Sequence, residues 1–279
     1  MEDAVLMGRP RLPRRKRDAH KGDFGRLFIL AGSREYSGAP ALCANAAVRS
    51  GAGLVTLAVP EEIWPVAAAK CNEAMVWPWS EDDTEILKKA SACDVAVIGP
   101  GLGQSERAEK LVLQLLRDLS VPVVLDADGL NILSRHIDVL DNREGMTVLT
   151  PHEGEFARLS GCGLPVSDRV SAACRFAEAH RCTLVLKGHR TVTAACGRSA
   201  VINTTGNPGM AKGGSGDTLA GIMGALLCQL PRESAPAAAV WLHGRAGDLA
   251  AADKGEYGMT VTDLIGQLPY AMKEVTEGE

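Results

Sequence analysis

Aromatic side chains make up only 4% of the 279 residues. So few π-surfaces argue against a protein that stacks single-stranded bases. Charge of one sign is lacking too: 30 Lys and Arg against 34 Asp and Glu leave a net charge of −4. No global field draws a polyanion, and no nucleic-acid partner is expected. No run approaches the roughly 18 uninterrupted apolar residues of a membrane span, so no membrane partner is expected either. Met1 to Arg17 has no apolar h-region, and no secretory signal is expected there. None of the eight cysteines forms a C-x-x-C pair, and several fall in apolar strand or helix patterns. The expectation is reduced, buried thiols in a cytoplasmic protein.

What is there is an ordinary globular composition, 46% hydrophobic and 23% charged, with 30 glycines. A chain of this length buries a large core without disulfides or metals. One local exception breaks the charge balance. Residues 9–21 contain Arg9, Arg11, Arg14, Arg15, Lys16, Arg17 and Lys21. With no aromatics interleaved, this run reads as a solvated segment or an inter-subunit arm rather than a nucleic-acid contact.

From Arg26 onward, short apolar runs alternate with amphipathic patterns. Strands are expected at 27–31, 54–59, 94–98, 122–126, 147–149, 184–186 and 192–194. Helices are expected at 41–49, 63–70, 105–119, 129–133, 153–159, 166–181, 217–230, 237–252 and 262–275, with Ser105 and Ser167 as caps. This alternation implies a mainly parallel sheet covered on both faces, a three-layer α/β/α sandwich. No linker divides the chain, so one domain is expected over 1–279, with 1–21 as a basic arm. Ligands of such sheets bind at the carboxyl ends of the strands.

The densest signal is N-T-T-G-N-P-G-M-A-K-G-G-S-G-D-T-L-A-G at 203–221. Its glycines, Gly214 and Gly216 among them, let backbone N–H groups converge at a helix start, an anion site suited to a phosphoryl group. Asp217 beside it is a poor phosphate ligand but a sensible general base; its plainer reading is a helix cap. GPGLG at 99–103 follows a strand but fails the dinucleotide fingerprint. LDADG at 125–129 places Asp126 and Asp128 at a strand end, suiting either Mg²⁺ or loop hydrogen bonding. TPHEGEF at 150–156 brings His152, Glu153 and Glu155 to another strand end. KGHRT at 187–191 offers cationic and amide donors to a nucleotide.

These segments, with HKGDFG at 20–25, resemble the ADP/ATP-dependent NAD(P)H-hydrate dehydratases of the ribokinase-like superfamily, over nearly the whole chain. The GGSGD element marks only the superfamily; TPHEGEF with HKGDFG narrows the likeness. The resemblance implies repair of hydrated NADH and NADPH by a lyase. The ring hydroxyl of the S epimer is phosphorylated by ADP or ATP, and phosphate then leaves, with AMP or ADP as the other product. It implies Asp217, Gly214 and Gly216 in catalysis, and Ala39, Gly103, His152 and Asp217 at the hydrate. It places Lys187, Gly188, His189, Arg190, Thr191 and Gly216 at the adenine nucleotide, and Glu155 at metal-bound water, with Mg²⁺ as cofactor. It also implies a homotetramer. Two rivals stand beside it: a small-molecule kinase of the same fold, and a non-catalytic nucleotide binder.

Overall fold

A computed structural model of the chain describes residues 4–79 and 82–277. Part of the expected basic arm and of the expected single domain, residues 1–3, 80–81 and 278–279, lies outside the described residues.

The strands are β1 (Val5–Leu6), β2 (Arg26–Leu30), β3 (Leu54–Pro60), β4 (Met75–Trp79) and β5 (Val95–Ile98). Then follow β6 (Val123–Leu125), β7 (Thr147–Leu149), β8 (Thr183–Leu186), β9 (Val192–Ala195) and β10 (Val201–Ile202). They form one sheet in the order β1-β10-β9-β8-β7-β6-β5-β2-β3-β4. All neighbours pair parallel except β9, which runs against both β8 and β10. The apolar runs are continuous because a central parallel strand is covered on both faces. In β2, Leu27 and Ile29 enter one core while Phe28 and Leu30 enter the other, as the two-residue period requires.

One face carries α1 (Ala39–Arg49), α2 (Trp64–Lys70), α8 (Ser215–Leu227), α9 (Ala235–Gly258) and α10 (Val261–Glu277). The other carries α3 (Asp83–Ser91), α4 (Glu106–Asp118), α5 (Asp128–Leu133), α6 (Glu153–Ser160) and α7 (Arg169–Ala179). Helix α8 is buried along its length after Asp217. It fits because Gly221 lets it press against α1: a Cβ there would lie 2.0 Å from the Cys43 carbonyl oxygen. That contact fixes where the first turn of α8 points.

Several local expectations need correction. Asp168, not Ser167, caps α7, accepting from Ser171 N at 3.1 Å, whereas Ser105 does cap α4. Helix α8 starts two residues before Asp217. Four elements escaped the periodicity. Strand β4 lies at the sheet edge and contains Pro78, which an edge position tolerates. Helix α3 buries only Ile86 and Ala90. Strands β1 and β10 have two residues each, too few for any period. All eight cysteines are free, but only Cys43, Cys71, Cys174 and Cys182 are buried; Cys93, Cys162 and Cys228 are half-buried and Cys196 is exposed. The basic segment is tied to its own chain: Arg15 stacks 3.7 Å above the Phe24 ring and donates to the Gly51 carbonyl. No helix among the described residues is long and apolar enough to cross a membrane.

Candidate active site

Because the parallel strands share one direction, the loops after β5, β6, β7 and β8 emerge at one edge. The start of α8 meets them there. A Cβ on Gly216 would lie 3.3 Å from Lys187 Nζ and 3.7 Å from Asp126 Oδ2. The three expected motifs at 125–129, 187–191 and 203–221 thus converge on one cleft.

Its floor is a charge cluster. Lys187 Nζ sits 2.7 Å from Asp126 Oδ1 and 3.7 Å from Glu155 Oε2. Asp126 is buried and also accepts from the Thr150 hydroxyl at 2.8 Å. Burial alone would depress the Lys187 ammonium, but the charges of Asp126 and Glu155 override it and hold its pKa above the usual value. Glu155 is pushed up, first by burial and then by Asp126, with Lys187 opposing. Asp217 is pushed up to about 6, by burial first and by the Asp126 charge next. A carboxylate tuned there is poised to take a proton near neutral pH.

The candidate anion site, the start of α8, stands beside it. Gly214, at φ 94°, caps α8 without any side-chain hydrogen bond. The left-handed backbone suits glycine and turns the following amides into the cleft. Among the described residues, the N–H groups of Gly216 and Asp217 have no hydrogen-bond partner. Behind this turn, buried His243 lies with Nε2 3.3 Å from Ser215 Oγ. Burial depresses it to about 4, so it is neutral at pH 7.

Other expected residues are present but partly engaged. His152 caps α6, its Nδ1 accepting from Gly154 and Glu155 N–H at 3.0 and 3.3 Å. In the neutral ring the proton is therefore on Nε2, which lies 3.5 Å from Glu155 Oε1. Glu155 returns the capping bond to His152 N at 2.8 Å. Gly103 N–H is taken by Asp128 Oδ2 at 2.9 Å, so Asp126 and Asp128 divide into separate tasks. Ala39 opens α1 next to Gly101, where an added Cβ would come within 2.9 Å of it. Thr191 donates its hydroxyl to the Gly188 carbonyl, and Arg190 holds a positive φ of 56°. Lys212 donates to the Tyr257 and Met259 carbonyls, tying the glycine loop to the end of α9.

Sequence reasoning missed Arg169. Its guanidinium donates to the carbonyls of Leu186, Lys187 and His189, all within 3.0 Å, and so shapes the 187–191 loop. The only signal was an arginine at a helix start, where a cation is out of place beside the helix dipole. His243, on the far helix, carried no sequence signal at all.

Among the described residues no group of three or more His, Cys, Asp or Glu side chains could hold a metal by itself. Mg²⁺ needs less: one or two carboxylates, waters and substrate phosphates. The oxygens of Glu155 and Asp126 beside an anion site fit an ion that arrives with a nucleotide.

Fold and cleft together define the class: a ribokinase-like α/β/α sandwich with a glycine-rich helix start and an adjacent carboxylate. The chain belongs to the NAD(P)H-hydrate dehydratase family, whose model matches residues 27–270. A bifunctional NAD(P)H-hydrate repair enzyme of Moorella thermoacetica is 41% identical over 281 residues, covering 96% of this chain and 53% of that protein. The chain thus spans about half the length of the first curated relatives it matches. An ADP-dependent (S)-NAD(P)H-hydrate dehydratase of Neisseria meningitidis is 38% identical, covering 93% of this chain and 87% of that one. A solved ADP/ATP-dependent NAD(P)H-hydrate dehydratase of Bacillus subtilis, co-crystallized with ATP and Mg²⁺, superposes with a TM-score of 0.83. It shares 32% identity and covers 95% of each chain.

Proposed function

We propose that this chain uses ADP or ATP to dehydrate the S epimer of hydrated NADH and NADPH, restoring the reduced dinucleotides. The observation that carries the reading is Asp217: a carboxylate raised to about 6, one residue from unpartnered amides at a helix start. Asp217 takes the proton of the ring hydroxyl as its oxygen attacks the terminal phosphorus of the nucleotide. The Gly216 and Asp217 amides and the start of α8 receive the charge on the moving phosphoryl group. The nucleotide leaves one phosphate shorter. The ring nitrogen lone pair then expels phosphate by breaking the ring C–O bond, and loss of a proton from the neighbouring ring carbon to solvent restores the double bond. Lys187 holds the nucleotide phosphates and keeps Asp217 ionisable. His152 Nε2–H, with Ala39 and Gly103 lining the other wall, orients the hydrated ring. The 187–191 loop holds the adenine nucleotide. Mg²⁺, bound through the nucleotide and near Glu155, neutralises phosphate charge.

The same reading makes the protein a cytoplasmic homotetramer; β1 lies at one edge of the sheet, where copies can meet. The test is to mix purified protein with hydrated NADH, Mg²⁺ and either ADP or ATP, and follow the reduced-nicotinamide absorbance. Nucleotide-dependent recovery with phosphate release supports the proposal and names the donor. A stable phosphorylated product instead identifies a small-molecule kinase of this fold, and absence of recovery from folded, nucleotide-binding protein rejects the dehydratase.

A further inference from the structure

Helix α9 carries none of the residues placed in the cleft, yet it holds the glycine-rich segment that leads into α8. That segment is weakly fixed by its own chain. Four of the nine residues 206–214 are glycine, and glycine loses more backbone freedom on ordering than any other residue. The backbone hydrogen bonds inside it are local: Met210 N donates to the Asn207 carbonyl, Ala211 N to Pro208 and Lys212 N to Met210. Bonds over two or three residues shape a turn but do not set where it lies against the sheet.

The placement comes from one stripe of α9, residues 241, 244 and 248, which the helical period puts on one face. The Trp241 carbonyl accepts from the Thr205 hydroxyl at 2.8 Å. Gly244 permits that close approach, since a Cβ there would lie 2.2 Å from Thr205 Oγ1. Half-buried Asp248 accepts from Gly206 N with one carboxylate oxygen and from Asn207 Nδ2 with the other, each at 3.0 Å. Asn207 passes the constraint on, its Oδ1 accepting from Gly209 N at 3.0 Å at the head of the helical turn 208–210. At the far end of the segment, His243 of the same helix reaches Ser215 in the first turn of α8.

We infer that Asp248 is a positioning residue for phosphoryl transfer, acting through Gly206 and Asn207 to fix the approach to the start of α8. The inference rests on the function proposed above. Donors aimed at developing charge are effective only if they are already in place when the charge forms. Without the Asp248 carboxylate, Gly206 N and the Asn207 amide lose their acceptor, and a segment rich in glycine is released from α9. The amides of Gly216 and Asp217 then no longer meet the phosphoryl group in one fixed geometry.

The test is repair of hydrated NADH by Asp248→Ala and Asp248→Asn, with Mg²⁺ and the nucleotide that supports the wild type. Asp248→Ala should lower kcat about 10- to 100-fold, the effect of a displacement of about 1 Å at a reacting centre. KM for the hydrate should stay within about twofold, because the residues lining that wall, Ala39, Gly103 and His152, are carried by other elements. Asp248→Asn keeps one oxygen acceptor and should recover part of the loss; if Asp248→Ala does not fold, a kcat about threefold or more below wild type in Asp248→Asn supports the inference. Wild-type kcat in the folded variant, or a hydrate KM that rises as much as kcat falls, overturns it. Failure of the wild type to repair any hydrate rejects the proposed function separately. Amide hydrogen exchange of the wild type and Asp248→Asn then decides the role of Asp248. Exchange about tenfold faster at Met210, Lys212 and Ser215, whose amides do not bond Asp248, supports it. A change confined to Gly206, or none, overturns it.

Discussion

The Lys187 ammonium lies 2.7 Å from Asp126 Oδ1, joining residues 61 positions apart in the chain. That pair sets the electrostatics of everything around it. Asp126 raises the proton affinity of Asp217 and Glu155, and Lys187 lowers both. Asp217 comes out near 6 from this balance and from burial. A free carboxylate at about 3.9 would be too weak a base, and an unopposed buried one would stay protonated.

Asp217→Asn should bind nucleotide as before but lose on the order of 10²–10⁴ in kcat, the weight of a general base. In the wild type, kcat/KM should rise with pH through about 6, since the ionised form is the active one. Steady-state kinetics between pH 5 and 8 check both. A flat profile, or near-wild-type turnover in the variant, removes Asp217 from this role.

The same substitution should stabilise the fold at neutral pH. The folded pKa of about 6 lies above the unfolded value, so protonation favours the folded state. That stability is fully present below about pH 4 and is lost as pH rises through 6. At pH 8 the variant should gain up to about 3 kcal/mol over wild type, and the gain should vanish by about pH 4. Denaturant titrations at the two pH values give the comparison.

Lys187→Met leaves Asp126 buried with only the Thr150 hydroxyl for support. Breaking such a buried pair costs about 3–5 kcal/mol. In whatever fraction folds, the acid limb of the rate profile should move to higher pH, because Lys187 opposes protonation of Asp217. A limb that stays near 6 would show that the ammonium does not reach the base.

Arg169→Ala removes three donations to the carbonyls that shape the 187–191 loop. The expected result is about a tenfold rise in nucleotide KM, near 1.4 kcal/mol, with little change in KM for the hydrate. Equal effects on both substrates would argue for general unfolding instead.

Gly214→Val places a β-branched residue at φ 94°, with its Cβ 2.5 Å from a Leu42 methyl. Strain of about 1–3 kcal/mol and loss of turnover should follow together. Melting temperature and single-turnover phosphate release measure them separately. Full activity would place the phosphoryl group elsewhere.

The sequence by itself determined the alternation of strands and helices. It also determined the glycine-rich turn and the carboxylate beside it, because periodicity, capping and glycine spacing act within a few residues. Strand 147–149 and the Ser105 cap were readable in this way. Strand β4, with its internal proline, and helix α3, with two buried positions, were not, since only the sheet edge and its neighbours make them regular. The tertiary structure alone decided how each polar group is used. Asp126 holds Lys187 while Asp128 holds Gly103, Lys212 donates to the carbonyls of Tyr257 and Met259, and Arg169 braces a loop 18 residues away. Crossover connections bring those partners together across long stretches of chain, and a hydrogen bond depends on distances of tenths of an ångström that no local pattern carries.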